Sequence, residues 1–339
     1  MNPWQLEIIV VREGSHGGGE RRELTRDVGR GLLVRLRQGA YVEREAFAAM
    51  TPEDQHLVRM RAFAAVARGP VVFSAFSAAV AHGLPVLRAR LASVHTAVGD
   101  RRERGQEGVT AHLLPVTAPE VVRIGGILVT SIARTVVDIA GGAPFDEGVM
   151  AADAALRLGT VREELEAAHD LVAPRRAARR IREVVAFAHP GGESAAESGS
   201  RALMLRLGIA PPRLQHRLVL DDGSEVFLDF LFAQVRVGGE ADGDVKYLDP
   251  RLAPAGAGRA VVKEKRREDE VRTRVAGLAR WGWAESRRPD LLRRVLQRVG
   301  VEPSVPRATL ADYAALARGA RPSFVVRRGA ARVTPRGVA

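Results

Sequence analysis

Between Val226 and Phe232 the chain is apolar at every position but one: Val226, Phe227, Leu228, Phe230, Leu231 and Phe232 form a β-prone run broken only by Asp229. The Asp222-Gly223 pair before it is a turn signal. A second run, Val235 to Glu240, follows Ala233-Gln234 and stops at the Gly-rich segment around Gly243, so the two runs predict a β-hairpin. With Ala233 and Gln234 as a two-residue loop, Phe232 pairs with Val235, Leu231 with Arg236 and Asp229 with Gly238. Glu240 then lies on the face of Asp229, one diagonal step away. Asp242 shares that face if the strand continues.

Elsewhere the pattern is mostly helical. Arg21 to Val28 fits a helix ended by Gly29 and Gly31, and Leu32 to Leu36 alternates as a strand before a turn at Gln38-Gly39. Thr51-Pro52-Glu53 is a cap with proline at the first helical position, opening a helix to Arg68. His82 beside Gly83 reads as a helix C-terminal residue, Ser74 and Ser77 as caps, and Thr130-Ser131 as a further N-cap. Asp138 follows on a helix without a visible partner, and Asp153 belongs to another amphipathic helix. Glu197 and Arg201, at i and i+4, predict a surface ion pair on the helix after the Gly191-Gly192 linker. Val261 to Leu278 predicts a charged helix. These signals divide the chain into 1–70, 71–185, 190–300 and a loosely ordered basic tail, 301–339.

Charge adds a partner class. The 52 Lys and Arg residues against 40 Asp and Glu give a formal net charge of +12 over 339 residues, a balance typical of nucleic-acid-binding proteins. Arginine richness also follows from a high-GC coding bias, so the charge supports that class without establishing it. Arg30, Arg35 and Arg37 lie in or beside the first strand, within reach of phosphates, and Arg175 and Arg176 open the densest basic run. That run is also compatible with a solvated helix face. With no cysteine there is no disulfide, thiolate metal site or cysteine nucleophile. No apolar run reaches membrane-spanning length and the start lacks a signal-peptide pattern, which predicts a cytoplasmic protein.

A carboxylate inside an apolar strand is costly unless a cation or hydrogen bonds compensate, and two that face each other are more so. Asp229 and Glu240 match what magnesium takes from a protein, one or two carboxylates with water and phosphate oxygens completing the shell. Alternatively, Asp229 caps a turn and Glu240 pairs with Arg236 on a wet face.

The residues LDF, GEADGDVKY, EKRREDEVR and RWGWAE resemble the C-terminal domain of actinobacterial proteins related to very-short-patch-repair-like endonucleases, within the PD-(D/E)xK superfamily. The resemblance covers roughly residues 190 to 295 and implies a restriction-endonuclease-like α/β domain. It implies that Asp229 and Glu240 hold Mg2+, that Glu197 packs toward the metal, and that Asp242 stands where the signature has lysine, with Lys246 the nearest lysine. GLLVRLRQGAYV resembles the wing of the AbiEi-type antitoxin winged helix-turn-helix, and SAAVAHGLP with TSIARTVVDIA resembles the middle region of those proteins. The implied fold class is α+β / α/β: a winged-helix-like segment, a mixed middle region and the nuclease-like domain.

Two functions compete. One is a metal-dependent DNA endonuclease, a phosphodiester hydrolase in which Asp229, Glu240, Asp242, Lys246 and Glu197 form the catalytic set, with Arg30, Arg35, Arg37, Arg175, Arg176 and Arg201 as DNA contacts. The other is an antitoxin-like transcriptional repressor, of the toxin-antitoxin kind, whose nuclease-type domain is inactive. The second raises a cognate toxin as a partner besides DNA. Retention of both carboxylates favours the first and the absence of lysine at position 242 the second.

Overall fold

The computed structural model describes residues 2–11, 18–99, 107–113, 115–172, 175–242 and 270–319. It is a mixed α and β protein in two compact units, Met1–Ala143 with Thr160–Ile181 and Pro144–Gly159 with Arg182–Ala339. No helix among the described residues is long and apolar enough to cross a membrane.

The first unit opens with β1 (Ile9–Val10), α1 (Gly18–Gly29), β2 (Leu33–Arg37) and β3 (Ala40–Glu43). β3 lies between β1 and β2, antiparallel to both. A short helix, α2 (Arg44–Ala48), is capped by the Glu43 carboxylate. The next, α3 (Pro52–Val66), begins as its sequence predicts, with the Thr51 hydroxyl accepting the Asp54 N–H at 3.1 Å. From α3, Val58 packs with Leu6, Val42, Phe47 and Met50. Leu57, Met60 and Phe63 of the same helix pack into a second core with Phe73, Val94, Ile127 and Val129. That core lines a mixed sheet of β4 (Val72–Phe73), β5 (Val94–Val98), β6 (Val109–Leu113), β7 (Val121–Ile124) and β8 (Ile127–Thr130), in the order β6-β5-β4-β8-β7.

Two polar residues of this unit take roles that local pattern did not predict. In α4 (Ala75–His82), Ser77 is no cap but a buried mid-helix residue: its hydroxyl lies 2.8 Å from His56 Nε2 and accepts the His95 N–H at 2.8 Å. In α5 (Ile132–Gly142), Ser131 is the N-cap as predicted, and Asp138 does have a partner. Arg134, fully buried, donates from Nε to Asp138 Oδ1 at 2.8 Å and from Nη1 to Glu120 Oε1 at 2.6 Å. Burial pushes the Asp138 carboxyl up to about 6 in spite of Arg134.

The chain then contributes α6 (Phe145–Arg157) to the second unit and returns to the first as α7 (Arg162–Val172), which packs on α5. The next helix, α8 (Arg175–Phe187), has its last residues in the second unit, where α9 (Ala195–Leu207) follows. Between α8 and α9, Gly191-Gly192 is packed rather than an open linker. A Cβ on Gly192, which is buried, would lie 2.6 Å from Asp153 Oδ2, so only glycine fits there.

The sheet of the second unit runs β12-β11-β10-β9, from β9 (Arg213–Val219), β10 (Glu225–Phe232), β11 (Val237–Ala241) and β12 (Gly277–Trp281). The first three form an antiparallel meander and β12 joins parallel to β11. Leu278, expected at the end of a helix, lies in β12, where it packs with Leu228 and Leu231. The helices α10 (Pro289–Arg298) and α11 (Leu310–Ala317) close the main core, where Trp281 stacks on Phe230 at 5.3 Å and Tyr313 on Phe187 at 5.0 Å.

Candidate functional site

The hairpin of β10 and β11 turns over four residues, 233–236, rather than two. Arg236 adopts φ +55, which lets the turn close one pair later, so Val237 and not Val235 faces Phe232. The register shifts by two accordingly: Leu231 pairs with Gly238 and Phe230 with Gly239. Continuing it brings Asp229 directly opposite Glu240, not one diagonal step away. The regular pairing stops at Phe230, and there the Asp229 carboxylate takes the place of a strand partner, Oδ2 accepting the Ala241 N–H at 2.8 Å.

Glycines at 238 and 239 keep this seam tight. A Cβ on Gly239 would meet the Trp281 ring at 2.8 Å, and one on Gly238 would meet Leu278 at 3.0 Å and Leu228 at 3.1 Å. Packing on either side thus fixes β11, and with it Glu240. The Asp242 N–H continues the ladder by donating to Trp281 O at 2.9 Å. Trp281 Nε1 in turn donates to the buried Ser200 Oγ at 2.8 Å, tying β12 to α9.

From the first turn of α9, Glu197 enters the same neighbourhood. Its N–H is capped by Ser194 Oγ at 3.1 Å, and its Oε2 accepts from Glu193 N at 2.9 Å and Gln215 Nε2 at 3.2 Å. Burial raises the proton affinity of this carboxyl against those hydrogen bonds. The consequence for Asp229 is larger. Burial, then the charges of Glu197, Glu240 and Asp242, push its carboxyl up to about 7, while the Ala241 hydrogen bond opposes the shift.

Glu240 is paired instead: Arg280 Nε, on the neighbouring strand, donates to its Oε2 at 2.6 Å. Arg236, the partner considered for it from sequence, donates to the Arg274 carbonyl. Among the described residues no group of three or more His, Asp or Glu side chains is arranged to hold one metal ion as it stands. Oxygen donors are nonetheless the right type for magnesium, which needs only one or two carboxylates.

The other sequence-derived residues fall as follows. Lys246 lies outside the described residues, as do the side chains of Arg175 and Arg176, whose backbone opens α8. Arg201 makes no surface pair with Glu197. It is 2% exposed, donates to Asp153 Oδ2 at 2.7 Å and to Phe187 O at 3.0 Å, and lies over the Phe187 ring at 4.6 Å. A guanidinium so engaged is a core group, not a surface cation. In the first unit Arg30 and Arg35 are exposed, Arg30 lying 3.7 Å from Asp27. Arg37 is half-buried with its guanidinium 4.0 Å over the Phe63 ring.

Sequence reasoning missed two contributors. Arg280 was readable only as part of a strand ending in tryptophan, and its pairing with Glu240 needs the parallel register of β11 and β12. Gln215 sits in RLQHRLV, where no local signal separates it from any polar strand residue.

No protein-family model matches the chain. It is 30% identical over 224 residues to "Uncharacterized protein Rv2248" of Mycobacterium tuberculosis (strain ATCC 25618 / H37Rv), a match covering 65% of this chain and 77% of that protein. The same identity and coverage hold for "Uncharacterized protein MT2308" of strain CDC 1551 / Oshkosh. With this identity over most of the relative's length, the chain belongs to the family of these mycobacterial proteins.

Proposed function

We propose that the chain is a metal-dependent DNA endonuclease of the very-short-patch-repair-like type, with a restriction-endonuclease-like second unit and a winged-helix-like, AbiEi-like first unit that contacts DNA. The observation that carries this reading is the placement of Asp229, which faces Glu240 on the adjacent strand where regular pairing stops and whose Oδ2 accepts the Ala241 N–H. A carboxyl held at about 7 by burial and by Glu197, Glu240 and Asp242 is poised to exchange its proton for a cation. Asp229 and Glu240, opposite each other on adjacent strands, would hold Mg2+, with Glu197 and Asp242 orienting its water and balancing charge. The bound ion would supply Lewis acidity, polarising the scissile phosphate and lowering the pKa of attacking water. The carboxylates orient that water and accept its proton, and Lys246 steadies the charge that develops on the phosphate. Exposed Arg30 and Arg35 of the first unit supply phosphate contacts.

A second reading draws on the Arg280–Glu240 ion pair and on Asp242 at the lysine position. A guanidinium already bound to Glu240 satisfies one of the two ligands without a metal. In that case the unit is an inactive platform in an antitoxin-like repressor with a cognate toxin.

Plasmid nicking by the full chain separates them. The first reading expects cleavage with Mg2+ and none with Ca2+, abolished by Asp229→Asn and by Glu240→Gln while DNA binding persists. Activity that survives both changes, or none in the wild type with any divalent ion, moves the assignment to the repressor.

A further inference from the structure

Three described non-glycine residues have positive φ: Ala75 at the start of α4, Arg236 in the hairpin turn, and Gln215 at φ +46. Gln215 alone of these lies inside a β-strand. Such a conformation is sterically disfavoured for an L side chain and persists only when the surroundings over-determine it. β9 is the edge of its sheet among the described residues, and its pairing with β10 keeps one register on both sides of the anomaly, His216 with Leu228 and Leu214 with Phe230. The left-handed turn therefore inserts no extra residue. It occurs at the position across from Asp229, and the side chain there reaches α9 to donate to Glu197 Oε2 at 3.2 Å. Glu193 N donates to the same oxygen at 2.9 Å, so two donors from different segments fix the rotation of one buried carboxylate.

We propose that Gln215 is a positioning residue for the acidic site: its left-handed backbone is retained because it aims the carboxamide at Glu197 and so holds that carboxylate in register with Asp229. This rests on the cation-site reading above. A donor on Glu197 favours its ionised form and orients a group whose charge acts directly on Asp229, as outer partners of metal-binding carboxylates do.

The test uses the full-length chain with Gln215→Gly, since glycine accepts positive φ freely and the fold should not suffer. Three quantities are read: the thermal midpoint, the Glu197 carboxyl titration by 13C NMR, assigned with Glu197→Gln, and Mn2+ affinity by calorimetry with manganese chloride alone. The expected result is a midpoint equal to or above wild type, a Glu197 titration moved to higher pH, and Mn2+ affinity lower by about tenfold. An unmoved Glu197 titration overturns the proposal, as does unchanged Mn2+ affinity. A loss of thermal stability with Glu197 titrating normally also overturns it, because Gln215 would then serve the strand rather than the site. If the wild type binds no Mn2+, the cation reading fails by itself. The Glu197 titration then decides alone whether Gln215 positions that carboxylate.

Discussion

Asp229 faces Glu240 across the seam between β10 and β11, yet its hydrogen bond goes to the N–H of the next residue, Ala241, at 2.8 Å. Glu240 has Arg280, whereas burial, and after it the charges of Glu197, Glu240 and Asp242, hold the Asp229 carboxyl at about 7 against an ordinary 3.8. The folded state thus keeps a proton that the unfolded chain has released between about pH 4 and pH 7. Stability from this group falls as pH rises through that window and is flat above it. Asp229→Asn, which still offers an oxygen to Ala241, should become more stable than wild type by about 1–3 kcal/mol at pH 8 relative to pH 4, after allowance for partial solvent screening. Urea unfolding at the two pH values measures it, and a difference independent of pH would show an unperturbed Asp229.

Arg201 gives a second expectation. Its partner Asp153 is fully buried and also accepts from Ser198 Oγ at 2.8 Å and His189 N at 2.8 Å. Arg201→Ala leaves that carboxylate without its cation and should cost about 3–5 kcal/mol. Circular dichroism at rising urea would reveal it. DNA affinity of the folded fraction should stay at wild-type level, and a selective loss of binding with stability intact would return Arg201 to the surface role its sequence suggested.

The contrast between Asp229 and Arg201 marks what the sequence carried. Asp229 stood out because a charge interrupting an apolar β-run is a local anomaly, and Thr51 and Ser131 were readable because caps are local too. Arg201 was misread because Asp153 lies 48 positions away, on a helix that local spacing cannot bring near. The hairpin register slipped by two because nothing in AQVR announces a left-handed arginine at 236. Gln215 and Arg280 depend on the order of strands in the sheet, which no window of residues encodes.

Acid should destabilise the first unit through two of its buried histidines, His56 and His95. His56 Nδ1 lies 3.3 Å from Leu91 O and Nε2 2.8 Å from Ser77 Oγ, while His95 bridges Arg90 O at 3.3 Å and His112 Nε2 at 2.9 Å. Each of these histidines has a carbonyl for an N–H, a contact that favours the protonated ring, but burial outweighs it and keeps both neutral. Burial lowers both to about 4, and the positive charges of Arg59 near His56 and of His112 and Arg90 near His95 add to the effect. Since their unfolded value is near 6.5, stability is fully present above it and declines as pH falls from about 6.5 to 4. Imidazole proton shifts followed by NMR should leave His56 and His95 untitrated at pH 5.5. Titration of either near 6.5 would contradict the packing. Ser77→Ala removes the hydroxyl that both residues use and should cost about 1–3 kcal/mol.

The last expectation concerns nucleic acid. A net charge of +12 favours phosphate binding with little base discrimination, and the cations open to solvent in the first unit include Arg30 and Arg35. Each phosphate neutralised releases condensed counterions, so the logarithm of affinity should fall linearly with the logarithm of salt, by about 0.9 per contact on duplex DNA. The double change Arg30→Ala and Arg35→Ala should therefore flatten the slope by up to about 2 and weaken binding similarly on unrelated duplexes. Arg37→Ala should differ in kind, because its guanidinium lies against Phe63 and its removal also strips packing from α3. Fluorescence anisotropy across a salt series distinguishes the two effects. An affinity that stays flat from low to moderate salt would remove DNA from the partners of this unit, and an unchanged slope in the double variant would move the contact surface away from β2.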